Sequence, residues 1–310
     1  MIYLIKVFSE REDKPRAYPL LEPSQVGYGS IKYLSFDPIE FAISQDGKNW
    51  ISNYDVDNLR GVYCYRAPDV QPANPSDTMK KIGLQDGSRL ISTTYNSREL
   101  KFELIYDGVS ETDAMLAWEA AQRFLVARDA YWITFSNWRN RMYYGKAKLA
   151  APTYSNEKCW TCEVTFTDFI GLSRSIGTTL DYPDQVWGVN SNIPEGVEPQ
   201  YKFTANTFSV YNLSDVLIDP EWRGHPFKLT LQGKSNGNLT ITNKAGGTVY
   251  KKSAFDGTFV LDGVNPECNG QGCLLDTNCG VVTLAMGKND FQIDNFSGTI
   301  TFEFPMWWLA

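Results

Sequence analysis

The sequence predicts a mainly β protein of two domains, the first laying a single α-helix on a sheet and the second a β-sandwich or jelly-roll-like domain. Three observations lead there. Apolar and polar residues alternate in both halves with the period of a half-buried strand. One stretch, after Ser110, changes to helical spacing. From about Tyr201 short strands follow one another with strong turn residues between them and no helix.

The helix and its neighbours occupy residues 98 to 149. From Arg98 to Tyr106, the residues Leu100, Phe102, Leu104 and Tyr106 alternate with Glu99, Lys101, Glu103 and Ile105, so one face packs and the other is mostly wet. Ser110 precedes Glu111, Thr112 and Asp113; its hydroxyl can accept from a free first-turn amide, and the acids favour the positive helix end. Met115, Trp118, Ala121, Phe124 and Leu125 form the expected apolar stripe, with Glu119, Gln122 and Arg123 mostly opposite. The surface it covers is the sheet made by its own neighbours, including Tyr131 to Phe135 and, after a polar turn at Asn137 to Asn140, Met142 to Tyr144.

With 310 residues, 43% of them apolar, the chain can bury the core of two domains. Its 29 basic residues against 36 acidic ones give a net charge of -7, which argues against tight, non-specific nucleic-acid binding. The opening MIYLIKVFSEREDK has too short an apolar run for a signal peptide, and no stretch approaches a membrane-spanning length. Synthesis and folding in a cytoplasm, without membrane insertion, are therefore expected. Six scattered cysteines suit reduced thiols better than a disulfide framework.

Residues 1 to 30, with a charged run from Glu10 to Lys14 and then Pro15, Pro19 and Pro23, read as an extended arm or loop. Ile31 to Tyr33 and Glu40 to Ile43 read as strands, and Gln45 to Lys48 carries the Asp-Gly signal of a tight hairpin turn. Another strand spans Arg60 to Tyr65. Ala67 to Arg89 is then a long connection with three prolines and mixed charge, a kind that is usually functional or partly disordered. In Cys159 to Thr167, Trp160, Cys162, Val164 and Phe166 line one face. Gly171 to Asn206 has the composition of a domain boundary. Beyond it, strands are expected at Thr207 to Tyr211, Pro226 to Gln232, Asn238 to Asn243, Thr248 to Lys251, Thr258 to Leu261, Val281 to Met286, Asp290 to Ile293 and Thr299 to Phe304, with Gly233, Gly237, Gly246-Gly247, Asp256-Gly257, Asp262-Gly263 and Gly298 among their turns.

Catalytic machinery fails on inventory. His225 is the sole histidine and no nucleophile elbow accompanies it, so a structural role is expected. Cys159 and Cys162, three apart on a strand, point to opposite faces and cannot share a metal. Cys268, Cys273 and Cys279 make a better cluster but lack a nearby histidine, and the bland reading is a reduced loop thiol set. Asp219 with Glu221, Asp181 with Asp184, and Asp290 with Asp294 are the carboxylate pairs any acidic chain offers. Asp55-Val56-Asp57 lacks the rest of an EF-hand loop. No catalytic, cofactor or metal residue is assigned. Aromatics reach 14%, and Trp132, Trp138, Tyr143, Tyr144, Trp222, Trp307 and Trp308 are candidates for contact surfaces. Trp307 and Trp308 are expected to be buried against another domain or subunit.

The run LKFELIYDG, a helix, YWITFSNWRNRMYYGKAKL and a final strand CWTCEVTFTDFIG resemble the amino-terminal domain of the distal tail (Dit) proteins of long-tailed phages infecting Gram-positive bacteria. YKFTANTFSVYNLSDVLIDPEWRGHPFKLTLQG followed by LTITNKAGGTVY is similar to the opening of that family's galectin-like second domain. The resemblance implies a β-sandwich-like ring-forming domain with one helix and a belt or arm hairpin over residues 1–180, a linker at 181–200, and a galectin-like β-sandwich over 201–310. It further implies a baseplate hub at the virion tail tip. Copies would form a hexameric ring, joining the tail tube protein to the tail-associated tip or lysin protein and carrying receptor-binding or other baseplate proteins. By position the inter-subunit belt falls on Ala67 to Arg89, with Pro68, Pro72, Pro75, Lys80, Lys81 and Arg89, and interface aromatics are expected among Trp132, Trp138, Tyr143, Tyr144, Trp307 and Trp308. The rival is a protein that binds cell-wall glycans through residues 201–310; a hydrolase lacks a defensible catalytic pair.

Overall fold

The structure is a computed structural model that describes residues 5–12, 18–21, 33–36, 38–84, 86–138, 140–182 and 191–310. It divides into two compact units, Met1–Ser173 with Leu309–Ala310, and Arg174–Trp308.

In the first unit β1 (Tyr18–Leu21) pairs antiparallel with β2 (Tyr33–Phe36), so part of the expected arm is strand; Ile31 and residues 1–4, 13–17 and 22–30 lie outside the described residues. The main sheet is built from β3 (Phe41–Ser44), β4 (Ile51–Ser52), β5 (Val62–Val70), β8 (Arg98–Asp107), β9 (Tyr131–Phe135), β10 (Arg141–Leu149) and β12 (Cys159–Asp168), in the order β4-β3-β9-β10-β12-β8-β5. Strand β11 (Thr153–Asn156) pairs with β12, while β6 (Asn74–Lys80) and β7 (Arg89–Asn96) form a separate hairpin. The register sets Leu100, Phe102 and Leu104 opposite Phe166, Val164 and Cys162, all buried, so the alternation read from the sequence is the core face.

Helix α1 (Glu111–Leu125) lies on this face and begins as expected, with the Ser110 hydroxyl accepting from the Asp113 amide at 3.2 Å. Its stripe is shifted from the expected one. Met115 is exposed, and the fully buried positions are Ala114, Ala117, Ala121 and Leu125. Small alanines let the helix backbone approach the sheet, and Trp118 and Phe124 pack part-buried on the flanks. The Trp160 indole donates to the Ala114 carbonyl at 3.0 Å, and the Tyr131 hydroxyl to the Leu125 carbonyl at 2.6 Å, so both ends of the helix are tied to the sheet.

Two further expectations need correction. The Asp-Gly signal does not mark a two-residue turn, since β3 and β4 pair Ile43 with Ile51; the longer loop between them is gathered by the Asp46 carboxylate, which accepts from the Lys48 and Asn49 amides and the Ser44 hydroxyl. These bonds hold the Asp46 carboxyl well below its usual range. Ala67 to Arg89 is not an irregular connection: β5 continues to Val70 and β6 follows at Asn74.

The chain leaves the first unit through β13 (Ser173–Ser175). The second unit holds β14 (Lys202–Phe203), β15 (Thr207–Asn212), β16 (Lys228–Asn243), β17 (Thr248–Lys252), β18 (Asp256–Asp262), β19 (Asn265–Cys268), β20 (Gln271–Gly272), β21 (Gly287–Glu303) and β22 (Trp307–Trp308). Four of the short strands expected here are two long ones: β16 joins two of them and β21 joins the other two, while Val281 to Met286 contributes only a bridge from Leu284 to Ile218. Gly233, Gly237 and Gly298, read as turns, sit inside these strands, whereas Gly246-Gly247 and Gly263 lie in turns as expected. Gly233 faces Gly298, and a Cβ on either would lie 2.2 or 2.1 Å from a carbonyl of the opposite strand, so only glycine allows this approach.

Beyond that point the register shifts between Ser235 and Thr240, and the partners divide. The first half of β16 pairs with β18 and the end of β21; the second half pairs with β17 and the start of β21, which also carries β15. Two layers result from one pair of bent strands. Phe291 meets Phe302 at 4.9 Å and Tyr250 meets Phe259 at 6.1 Å across them, filling a β-sandwich core.

Candidate assembly surface

The hairpin of β6 and β7 is largely exposed. Every residue of β6 is exposed, and the register runs from Asn74 opposite Asn96 to Lys80 opposite Arg89 with a bulge between Thr78 and Met79. Opposed residues of antiparallel strands share a face. One face therefore carries Pro75, Asp77, Met79, Leu90, Thr93 and Tyr95; the other carries only asparagine, serine, threonine, Lys80 and Arg89. Met79 and Leu90 are 58% and 50% exposed, and Ile82, Leu84 and Ile91 add to the apolar surface near the tip. A two-stranded ribbon is marginal on its own, and such apolar side chains are costly in water.

The sequence-assigned belt residues fall on this element or its approach. Pro68 is half-buried on β5; Pro72 precedes β6; Pro75 and Lys80 lie on β6, Lys81 in the loop and Arg89 on β7, all exposed. The aromatics divide. Trp132, Tyr143, Trp307 and Trp308 are buried. Trp138 is exposed beneath the Arg141 guanidinium, and Tyr144 is partly exposed against Trp132. Trp307 and Trp308 are covered within the second unit itself: His225 stacks on Trp307, and the Trp308 indole donates to the Leu213 carbonyl at 3.1 Å.

The base of the hairpin holds a pair that sequence reading missed. Arg98 and Asp168, 1% and 0% exposed, meet at 3.1 Å through Nε and Oδ2. The same guanidinium donates from Nη1 to the carbonyls of Gln71, at 3.1 Å, and Leu309, at 2.5 Å, and lies over the Tyr143 ring. Burial pushes the Asp168 carboxyl up, against the pull of Arg98 and the Ile170 amide. A signal was present: alternation puts Arg98 on the face of Leu100 and Phe102, and Asp168 on that of Val164 and Phe166, so both charges were due to point inward.

The residues considered for chemistry are held in local structure. Asp219 Oδ1 accepts from the Glu221 and Trp222 amides, and Nδ1 of His225 accepts from the Asp219 amide at 3.2 Å. Burial lowers the His225 pKa to about 4. Asp290 accepts from Ser209, Asp294 from Gln292 and Asp181 from the Thr178 amide; Asp184 lies outside the described residues. Asp57 pairs with Arg11 and Arg60. Cys268 ends β19 and Cys273 follows β20, so the cysteine loop is in part a small hairpin. Among the described residues all six cysteines are free, and no group of three or more His, Cys, Asp or Glu side chains is placed to hold a metal.

No family model matches the sequence, and no curated protein matches it. Among solved structures, the Dit protein of phage SPP1, described as a paradigm of the hub adsorption apparatus in phages infecting Gram-positive bacteria, aligns with a TM-score of 0.58 at 16% identity over 86% of this chain and 99% of that one. A chain of the phage p2 baseplate in its activated conformation with strontium is 13% identical and covers 86% of this chain and 97% of its own, with a TM-score of 0.38. The likeness to SPP1 Dit spans both units with the helix-on-sheet layer and the sandwich in the same chain, and the protein has the fold of a phage distal tail protein.

Proposed function

We propose that this chain is the structural hub of a phage tail-tip baseplate. Copies assemble into a hexameric ring through residues 1–180, with the β6–β7 hairpin as the belt to the next subunit. Residues 201–310, after a linker at 181–200, face outward. The ring joins the tail tube to the tail-associated tip or lysin protein, carries receptor-binding or other baseplate proteins, and leaves a channel for DNA. The protein is made in the host cytoplasm and ends at the virion tail tip. It acts by shape rather than by catalysis, in keeping with the local engagement of His225 and the acid pairs.

The observation that carries this reading is the fold likeness to SPP1 Dit across nearly the whole of both chains. Negative-stain imaging and sedimentation of the purified protein, alone and with its tail partners, test it: a ring with a central hole is expected, and monomer under both conditions overturns it. The glycan reading has one feature on its side. Trp222, 82% exposed, stands out on the loop organised by Asp219. Sugar-specific binding on a glycan array, lost in Trp222→Ala, would favour it.

A further inference from the structure

The hairpin joins its unit through short legs, Gln71 to Ala73 outward and Ser97 on the return. A hollow of about 510 Å3 lies against both, lined by Pro72, Pro75, Ser97 and Glu99 among others, so side-chain packing alone does not set the hairpin's direction. One side chain crosses from leg to leg. We propose that Arg98 is the positioning residue of the hairpin, its buried guanidinium tying the incoming leg to the outgoing one and fixing the direction in which the hairpin leaves the sheet.

The ties run in three directions. Arg98 opens β8 immediately after the returning leg, and its Nη1 holds the Gln71 carbonyl of the outgoing leg and the Leu309 carbonyl. Nε is anchored on Asp168, whose other oxygen takes the Ile170 amide, so the anchor is itself fixed to a turn. That turn presses Gly171 beneath the Asn96 carbonyl at the end of β7, where a Cβ would come within 2.1 Å. The planar guanidinium serves these directions together, which a lysine ammonium on a flexible stem does not. A hairpin held in one direction loses less freedom on docking; this bearing on assembly rests on the hub reading.

Spin labels carried by unnatural amino acids at Thr94 and Glu111, both exposed, report the hairpin's direction in the full chain. Arg98→Lys keeps a charge beside Asp168 but loses the fork. The distance distribution should be narrow in the wild type and at least twofold broader in R98K, with the unit still folded; a folded R98K as narrow as wild type overturns the inference. If R98K does not fold, R98M/D168N, which leaves no unpaired buried charge, is read by the same criterion. Where the wild type forms rings, R98K should lower their yield at least tenfold at equal concentration. A wild type that forms none removes the hub reading, and the distance distribution still decides the role of Arg98.

Discussion

The sidedness of the hairpin gives the sharpest test of the proposed ring. Met79 and Leu90 face each other on one side of the ribbon, 58% and 50% exposed, whereas the paired residues of the other side are all polar. Full burial of a methionine or leucine is worth about 1.5–3 kcal/mol, and roughly half of that remains to be gained by each. M79S/L90S should therefore weaken each contact by about 1.5–3 kcal/mol, roughly 10- to 150-fold in association constant. The fold itself should be nearly unchanged, within about 0.5 kcal/mol, because neither side chain is in the core. Thr94→Lys, on the polar side, should leave association unchanged. Sedimentation velocity over a concentration series, with thermal unfolding in parallel, reads both quantities. Association of M79S/L90S equal to wild type, or equal loss in the Thr94 variant, would refute the reasoning.

Two other outcomes follow from the cores. Trp160→Phe removes the indole that donates to Ala114 and part of a fully buried ring that also meets Trp118 at 5.4 Å, and should cost the first unit about 2–4 kcal/mol in urea unfolding; a loss under about 1 kcal/mol would contradict the helix-to-sheet tie. His225 titrates at about 4 when folded against 6.5 as its ordinary value. The unfolded chain therefore takes up a proton first, and stability held above pH 6.5 is lost as pH falls toward 4, by roughly 3 kcal/mol in all. In His225→Asn the slope between pH 6.5 and 5 should flatten; an unchanged slope would remove His225 as its source.

What could be read from the sequence was local. Alternation in β8 and β12 names their inward residues because the side-chain period of a strand is two wherever it sits. Ser110 marks the helix start because capping involves only its own first turn. The stretch that the resemblance and its position marked as a belt or arm hairpin, Ala67 to Arg89, holds β6 and the start of β7.

The rest depended on what lies opposite. Met115 points to solvent and Ala114 inward because the sheet favours the closest approach of the helix, a choice that helical spacing alone leaves open. Gly233 and Gly298 continue strands because each faces the other across the ladder; alone, either reads as a turn. Arg98 and Asp168, 70 residues apart, become one buried pair only when β8 and β12 align end to end. The sequence by itself determined where the helix starts and which residues of β8 and β12 face inward, since these depend on neighbours along the chain. Tertiary structure alone decided which face of the helix packs, where strands bend and which charges meet, since these depend on groups the chain brings together only on folding.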